Sequence, residues 1–425
     1  MLQAIRDLLK KTNNITRSAY IWNAMSAMLT AIQCPVILMV MNRTNGLYDS
    51  GVFSIAFAVA SLMLFMAQYG LRRFQSSDIL EKYKFREYHA MRFITCGAML
   101  AASLGYCVYG MIFRDYSMDK FLVIFMVCFL KGIQGYSDVI HGHMQLKGRL
   151  DVATRCSSVR YVAEMVSFII VLLLTHNVLL SMGACLAVSL IVMMLTSINA
   201  GLEYCDTMRP SITGARFRRL AIEGFPLFAS LFLNMYISNA PKYAIDAFLS
   251  EEMQAYYNFI FMPAFVIQLI THFIFNPIIT TYAKLWESED PSGRRELARR
   301  IRWQCLMILG ITAVGVGVAL TIGIPLLSII FGVDLSAYKM ELVVVMIGGG
   351  MLAYATYFST VITVIRLQGT LIFCYGAVAL AAKLLAGFFV VNYSIMGAAA
   401  MYASLMTVLA VMLFIIVLYG IRRRK

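Results

Sequence analysis

Twelve long apolar runs, separated by short polar stretches, dominate the chain. They cover approximately residues 19–41, 48–70, 93–113, 120–141, 159–175, 178–200, 223–246, 253–281, 303–323, 336–364, 371–391 and 394–419. An α-helix needs about 20 mostly apolar residues to cross the hydrocarbon core of a bilayer, and only helices or closed barrels satisfy their backbone there. The runs lack the period of two that barrel strands show. The pattern therefore predicts an all-α polytopic membrane protein with about twelve transmembrane helices.

Composition and the placement of charge agree with this prediction. The chain is 60% hydrophobic and 14% charged, with a net charge of +14. Most of its 36 lysines and arginines fall in alternate connecting segments, and the intervening segments hold only a few: Arg43, Arg114, Lys120 and Lys339. The positive-inside rule then places both termini in the cytoplasm. We expect the basic loops to lie against anionic lipids, and the charge placement argues against nucleic acid as a partner.

The chain reads as two halves of six helices each. Residues 1–200 form the first half, 201–222 a basic cytoplasmic linker, and 223–425 the second half. Each half opens with a basic lead-in and a helix that carries a proline in its outer part, Pro35 in one and Pro241 in the other. Since each half holds an even number of spans, the halves run in the same direction and are related by an axis along the membrane normal.

The fourth apolar run carries a polar face. Lys131, Gln134, Asp138 and His141 follow one another at steps of three, four and three residues, which places them on one side of a helix. Charges at this depth are costly and normally face a cavity or a partner. The face is interpreted as the lining of a water-filled cavity, and the alternative is a buried Lys131–Asp138 pair or a partner on another helix.

Further candidates for substrate contact lie in other runs. Lys383, in the eleventh, has no acid within one turn, so it faces a substrate cavity or a distant ion-pair partner. Lys242, in the seventh, either belongs to the same cavity or pairs locally with Asp246. The remaining candidates are amides on the first and seventh helices: Asn23, Gln33 and Asn234. Together with the polar face of the fourth run, these residues predict one polar cavity between the halves.

Two carboxylates are candidates for ion coupling, Asp138 and Glu164. Glu164 follows Arg160 by four residues, so a local ion pair is the alternative for it. The chain has no nucleophile elbow, no Walker loop and no HExxH motif, which argues against an enzyme. Its nine cysteines form no C-x-x-C pair, and neither a metal nor a cofactor is predicted.

Two segments resemble a known family. One is the junction of the seventh and eighth runs, residues 239–263, which reads NAPKYAIDAFLSEEMQAYYNFIFMP. The other is the start of the second run, residues 51–56, which reads GVFSIA. With the twelve-helix layout they resemble the Wzx-type polysaccharide exporters of the MOP superfamily.

The resemblance implies a flippase of the bacterial cytoplasmic membrane that works by alternating access. Its substrate would be an undecaprenyl-pyrophosphate-linked glycan, moved from the inner to the outer leaflet, and its partners would include polysaccharide polymerase or assembly proteins. The central lysines would bind phosphate or sugar acids.

Three alternatives remain open at this point. The first is a cation-coupled small-molecule or drug exporter of the same superfamily, against which the basic cavity argues, because organic cations prefer acidic surroundings. The second is a non-transporting membrane partner in envelope polysaccharide assembly. The third is a membrane enzyme.

Overall fold

The described part of the chain consists mainly of long helices. The structure is a computed structural model that describes residues 2–78, 82–205, 207–275, 282, 285–286, 291–367 and 369–423. The helices of the first half are α1 (Leu2–Lys10), α2 (Ile15–Thr44), α3 (Leu47–Gln68), α4 (Leu71–Ser77), α5 (Phe85–Phe113), α6 (Met118–Leu146), α7 (Leu150–Thr175), α8 (Val178–Met193) and α9 (Asn199–Tyr204). Those that follow are α10 (Gly214–Phe248), α11 (Glu251–Phe275), α12 (Pro291–Val318), α13 (Ile324–Phe331), α14 (Lys339–Val364) and α15 (Gly369–Arg423).

The predicted fold class is confirmed. Among the described residues, ten helical segments are long and apolar enough to cross a membrane. The last of them, α15, contains a non-helical residue, Ser394, with φ 52° and ψ −131°, so it holds the two predicted runs 371–391 and 394–419. Helix α11 corresponds to the predicted run 253–281, whose last part lies outside the described residues. Each predicted run thus coincides with a helix.

Polar side chains cap the beginnings of several helices, and residues in the left-handed backbone conformation mark some of their ends. The side chains of Asn14, Ser117 and Asn177 accept hydrogen bonds from backbone N–H groups in the first turns of α2, α6 and α8. Such caps satisfy donors that the helix itself leaves unpaired. Tyr69 and His176, with φ of 48° and 50°, terminate α3 and α7. His176 and Asn177 are adjacent, so the turn between α7 and α8 is short.

The chain divides into two compact units, Met1–Phe232 and Leu233–Lys425, here called the first and second unit. The boundary lies inside α10, because the beginning of that helix packs on the first unit. The Phe228 ring stacks on Tyr69 with ring centroids 4.6 Å apart. The predicted linker, residues 201–222, therefore belongs to the first unit.

The first unit has two central helices and the second unit has one. In the first unit α3 and α6 are the most buried of the spanning helices, and in the second unit α14 is. Three consecutive glycines of α14 allow close packing. A Cβ added at Gly348 would meet Tyr402 of α15, one at Gly349 would meet Ala264 of α11, and one at Gly350 would meet Thr312 of α12. Small residues let helices approach closely inside a membrane. Here the glycines allow α11, α12 and α15 to pack closely against α14.

Candidate functional site

The polar face predicted on α6 exists and is almost entirely inside the first unit. Lys131 is 4% exposed, Asp138 5% and His141 3%, while Gln134 is half-buried. Because α6 is a central helix, each of these side chains must find its partners on neighbouring helices. They find them in three separate places along the helix.

Lys131 lies among amide oxygens and an aromatic ring. Its Nζ is 3.4 Å from Gln33 Oε1 on α2 and 3.3 Å from Gln134 Oε1 on α6. It also lies 4.5 Å from the centroid of the Phe57 ring on α3, within the range of a cation–π contact. The ammonium is thus solvated by protein dipoles at the centre of the unit.

The Gln33 amide links Lys131 to Glu164. Its Nε2 donates to Glu164 Oε2 at 2.9 Å, while its oxygen accepts from the lysine. Glu164 Oε1 accepts from Arg160 Nη1 at 2.9 Å and from Ser189 Oγ at 2.6 Å. We call these five residues (Gln33, Lys131, Arg160, Glu164 and Ser189) the glutamate cluster. They come from α2, α6, α7 and α8, so the cluster ties four helices together.

Asp138 is held by two arginines. Arg72 Nη1 lies 2.9 Å from Asp138 Oδ1, and Arg92 Nη2 lies 3.1 Å from Asp138 Oδ2. Arg92 is 0% exposed, and its Nη1 also donates to the carbonyl oxygen of Ala67, in the last turn of α3. We call Arg72, Arg92 and Asp138 the aspartate cluster. Asp138 therefore pairs across helices, and its partners are arginines of α4 and α5.

His141 is satisfied at both ring nitrogens. Its Nε2 is 2.9 Å from Ser197 Oγ and its Nδ1 is 3.2 Å from Ser157 Oγ. Ser197 belongs to a π-helical turn, Met194–Ile198, that connects α8 to α9. Such turns change the direction in which side chains project. Here the turn supplies a hydroxyl to a buried imidazole.

Both ionic clusters contain more cations than anions. The glutamate cluster holds Lys131 and Arg160 around one carboxylate, and the aspartate cluster holds Arg72 and Arg92 around one. The Nε atoms of Arg92 and Arg160 are buried without a hydrogen-bond partner among the described residues. Leaving a buried charge without its partner is strongly destabilising. Each carboxylate therefore stabilises the buried cations around it.

The second unit places its two intramembrane lysines differently. Lys242 is 6% exposed, and its Nζ lies 4.7 Å from the centroid of the Phe261 ring. Lys383 is exposed and makes neither a hydrogen bond nor an ion pair with any described residue. It lies about midway between the start of α15 and the bend at Ser394, and exposed Leu380 and Leu384 lie beside it.

The remaining predicted contact residues are spread along α2 and α10. Asn23 is exposed and Asn234 is half-buried, whereas Gln33 is 2% exposed. Asn23 and Gln33 share α2, but ten residues separate them, about 15 Å along the axis. The structure thus brings Gln33 to Lys131 and leaves Asn23 outside the glutamate cluster.

Sequence reasoning missed several members of these clusters. Arg72 and Arg92 lie at the ends of a basic stretch whose charges the positive-inside rule already explains, and Ser189 lies in a plain apolar run. The sequence offered one sign for Arg92, its position directly at the edge of an apolar run. Ser189 and Phe57 carry no comparable sign.

Comparisons with known proteins show which fold these helices adopt. No known family's sequence profile matches the chain, and no curated protein sequence matches it. Solved structures do match. An inward-facing multidrug resistance MATE family transporter of the MOP superfamily superposes with a TM-score of 0.68 at 12% identity, covering 95% of this chain and 98% of that one.

Two further structures extend the comparison. The lipid II flippase MurJ, in an inward closed conformation, gives a TM-score of 0.69 at 10% identity, with 93% of this chain and 88% of that one covered. The third is a MOP superfamily transporter from Pyrococcus furiosus, for which a binding pocket of reverse polarity suggests a different function. It superposes with a TM-score of 0.57 at 13% identity, covering 98% of this chain and 97% of that one. The chain therefore has the fold of MOP superfamily transporters, and the proteins it resembles are transporters and flippases rather than enzymes.

Proposed function

We propose that this protein is a flippase that moves a lipid-pyrophosphate-linked oligosaccharide, a precursor of a cell-surface polysaccharide, across the membrane by alternating access. In this proposal the substrate enters from the inner leaflet of a bacterial cytoplasmic membrane and both chain termini lie in the cytoplasm. Polysaccharide polymerase or assembly proteins would receive the product. The observation that carries the proposal is the exposed lysine of α15.

Lys383 is a cation at the middle of a spanning helix, and no described residue is its partner. It lies about 21 Å from the start of α15, at 1.5 Å of rise per residue, and makes no ion pair with any described residue. A charged side chain at the bilayer centre costs at least about 2.5 kcal/mol when it faces lipid. The cost is avoided if Lys383 faces water or an anion. A phosphate or sugar acid passing through the protein fits that requirement.

The carboxylates of the first unit argue against the export of organic cations. A cationic drug needs an available acid, and both Asp138 and Glu164 accept hydrogen bonds from arginines of the protein. Each cluster already contains two cations for one carboxylate. A third cation would therefore meet repulsion in either place.

The same contacts bear on ion coupling. A proton or sodium ion bound at Asp138 or Glu164 would have to displace an arginine, so the ion-coupling role of these two residues stays a prediction. We propose instead that their main role is to hold the helices of the first unit together. Substrate contact is proposed for Lys383 first, with Asn23, Asn234 and Gln134 as further polar contacts, since these are not fully buried. For Lys131, Gln33 and Lys242, which are buried, substrate contact requires a change of conformation.

The proposal is tested in sealed proteoliposomes that carry a fluorescently labelled undecaprenyl-pyrophosphate-linked oligosaccharide. Dithionite added outside bleaches only the outer leaflet in protein-free vesicles, and we expect it to bleach both leaflets when the protein is present. A parallel set of vesicles measures transport of ethidium, an organic cation. Bleaching limited to one leaflet, together with protein-dependent ethidium transport, would favour the drug exporter.

A further inference from the structure

A cleft in the second unit lies apart from the residues discussed so far. It has a volume of about 420 Å³ and is lined mainly by the first part of α12: Tyr282, Glu296, Arg299, Arg300, Trp303 and Gln304. The Tyr282 hydroxyl is 3.0 Å from that of Tyr357 on α14, which fixes one wall. The charge pattern of the sequence predicts that this end of α12 is cytoplasmic.

One glutamate positions both arginines of the cleft. Glu296 Oε2 lies 2.5 Å from Arg299 Nη2, and its Oε1 lies 2.7 Å from Arg300 Nε. The arginine side chains are 78% and 46% exposed, so guanidinium donors remain available to a ligand. Exposed ion pairs are weak, and two guanidiniums against one carboxylate leave a net positive charge. Guanidinium forks are well matched to phosphate oxygens.

Gln304, another residue that lines the cleft, offers a hydrogen-bond acceptor. It is 8% exposed, and its Oε1 is buried without a hydrogen-bond partner among the described residues. A buried acceptor that stays unpaired costs about 1–3 kcal/mol. A ligand that donates a hydrogen bond here would remove that cost.

Beyond the cleft, α12 presents an apolar stripe to its surroundings. Trp303, Leu306 and Leu309 are 67%, 59% and 55% exposed and follow one another at steps of three residues, which keeps them on one side of the helix. Tryptophan is enriched where a membrane meets water. Arg299 lies one turn before Trp303. We therefore expect the cleft to lie at the depth of lipid head groups and the stripe at the depth of their acyl chains.

We propose that this cleft is a binding site for an anionic phospholipid whose head group carries a hydroxyl, as in phosphatidylglycerol. The phosphate lies on Arg299 and Arg300, the hydroxyl donates to Gln304 Oε1, and an acyl chain follows the stripe from Trp303. The site is separate from the proposed transport function. It accounts together for the paired arginines, the unpaired amide oxygen and the exposed tryptophan.

The test is native mass spectrometry of the full-length protein with defined lipids. Phosphatidylmethanol is the matched control lipid, because it has the charge of phosphatidylglycerol and lacks the hydroxyl. We expect the wild-type protein to bind phosphatidylglycerol about two- to tenfold more tightly, the range of one hydrogen bond. Gln304→Leu should lower phosphatidylglycerol binding to the phosphatidylmethanol level and leave phosphatidylmethanol unchanged.

The arginines are tested separately. The double variant Arg299→Gln/Arg300→Gln should lose affinity for both lipids. Arg302→Gln removes an exposed arginine of the same helix that does not line the cleft, and it should lose affinity for neither. These variants lie at the surface, so they remain informative if Gln304→Leu fails to fold.

Three results would overturn the proposal. The first is equal affinity of the wild-type protein for the two lipids. The second is an equal loss of lipid affinity in Arg302→Gln and in the double variant. The third is displacement of phosphatidylglycerol by millimolar inorganic phosphate, which would make free phosphate the ligand.

Discussion

The two units of this protein treat intramembrane charge in opposite ways. In the first unit the charges are buried and bonded to one another through the glutamate and aspartate clusters. In the second unit Lys242 packs on aromatic rings and Lys383 is exposed without a described partner. The second unit is held instead by close helix packing at the glycines of α14. The difference separates charges that are paired within the protein from Lys383, which has no described partner and for which we propose substrate contact.

The largest effect is expected at the aspartate cluster. Asp138→Asn leaves Arg92, which is 0% exposed, without its anion, and breaking a buried ion pair costs about 3–5 kcal/mol. We expect the variant to accumulate poorly in the membrane and to unfold at a much lower temperature. Asp119→Asn, at the exposed start of α6, is the matched control. A variant at Asp138 that is as stable as the wild type would show that the cluster does not hold the unit together.

The glutamate cluster should show strong coupling between its members. Arg160→Met and Glu164→Gln each leave a buried group without its partner, so each should destabilise the protein by a few kcal/mol, about 3–5 at most. The double variant removes both charges and should be more stable than the two single effects together predict. Thermal unfolding of the four proteins measures this interaction free energy. Additive effects would contradict the pairing.

In the second unit, stability should depend on packing rather than on charge. A Cβ added at Gly349 would lie 2.9 Å from Ala264 Cβ and 3.2 Å from its Cα, so Gly349→Ala should cost about 1–3 kcal/mol. Gly310→Ala on α12 meets nothing within 4 Å and should be neutral or stabilising, because alanine favours helix. Unfolding midpoints in detergent distinguish the two. Equal midpoints would mean that the contact between α14 and α11 is loose.

The sequence predicted the helices well because each apolar run is long and most runs end near a cap or a charged stretch. It also placed Lys131, Gln134, Asp138 and His141 on one helical face, as the structure has them. Their partners were harder to predict, since partners on other helices depend on packing. Arg92 illustrates this limit, for its position at the edge of an apolar run does not indicate which carboxylate its guanidinium reaches. The alternative of a Lys131–Asp138 pair arose for the same reason.

The most direct test of this account measures flipping and stability together at Lys383. We expect Lys383→Met to slow flipping of the labelled lipid-linked oligosaccharide about tenfold or more, the loss of one charge-assisted hydrogen bond, with an unchanged unfolding temperature. Lys383→Arg should keep most of the activity, and Lys339→Met, which removes an exposed lysine at the start of α14, should keep all of it. Wild-type flipping by Lys383→Met would contradict the account, because the exposed lysine would then have no role in transport.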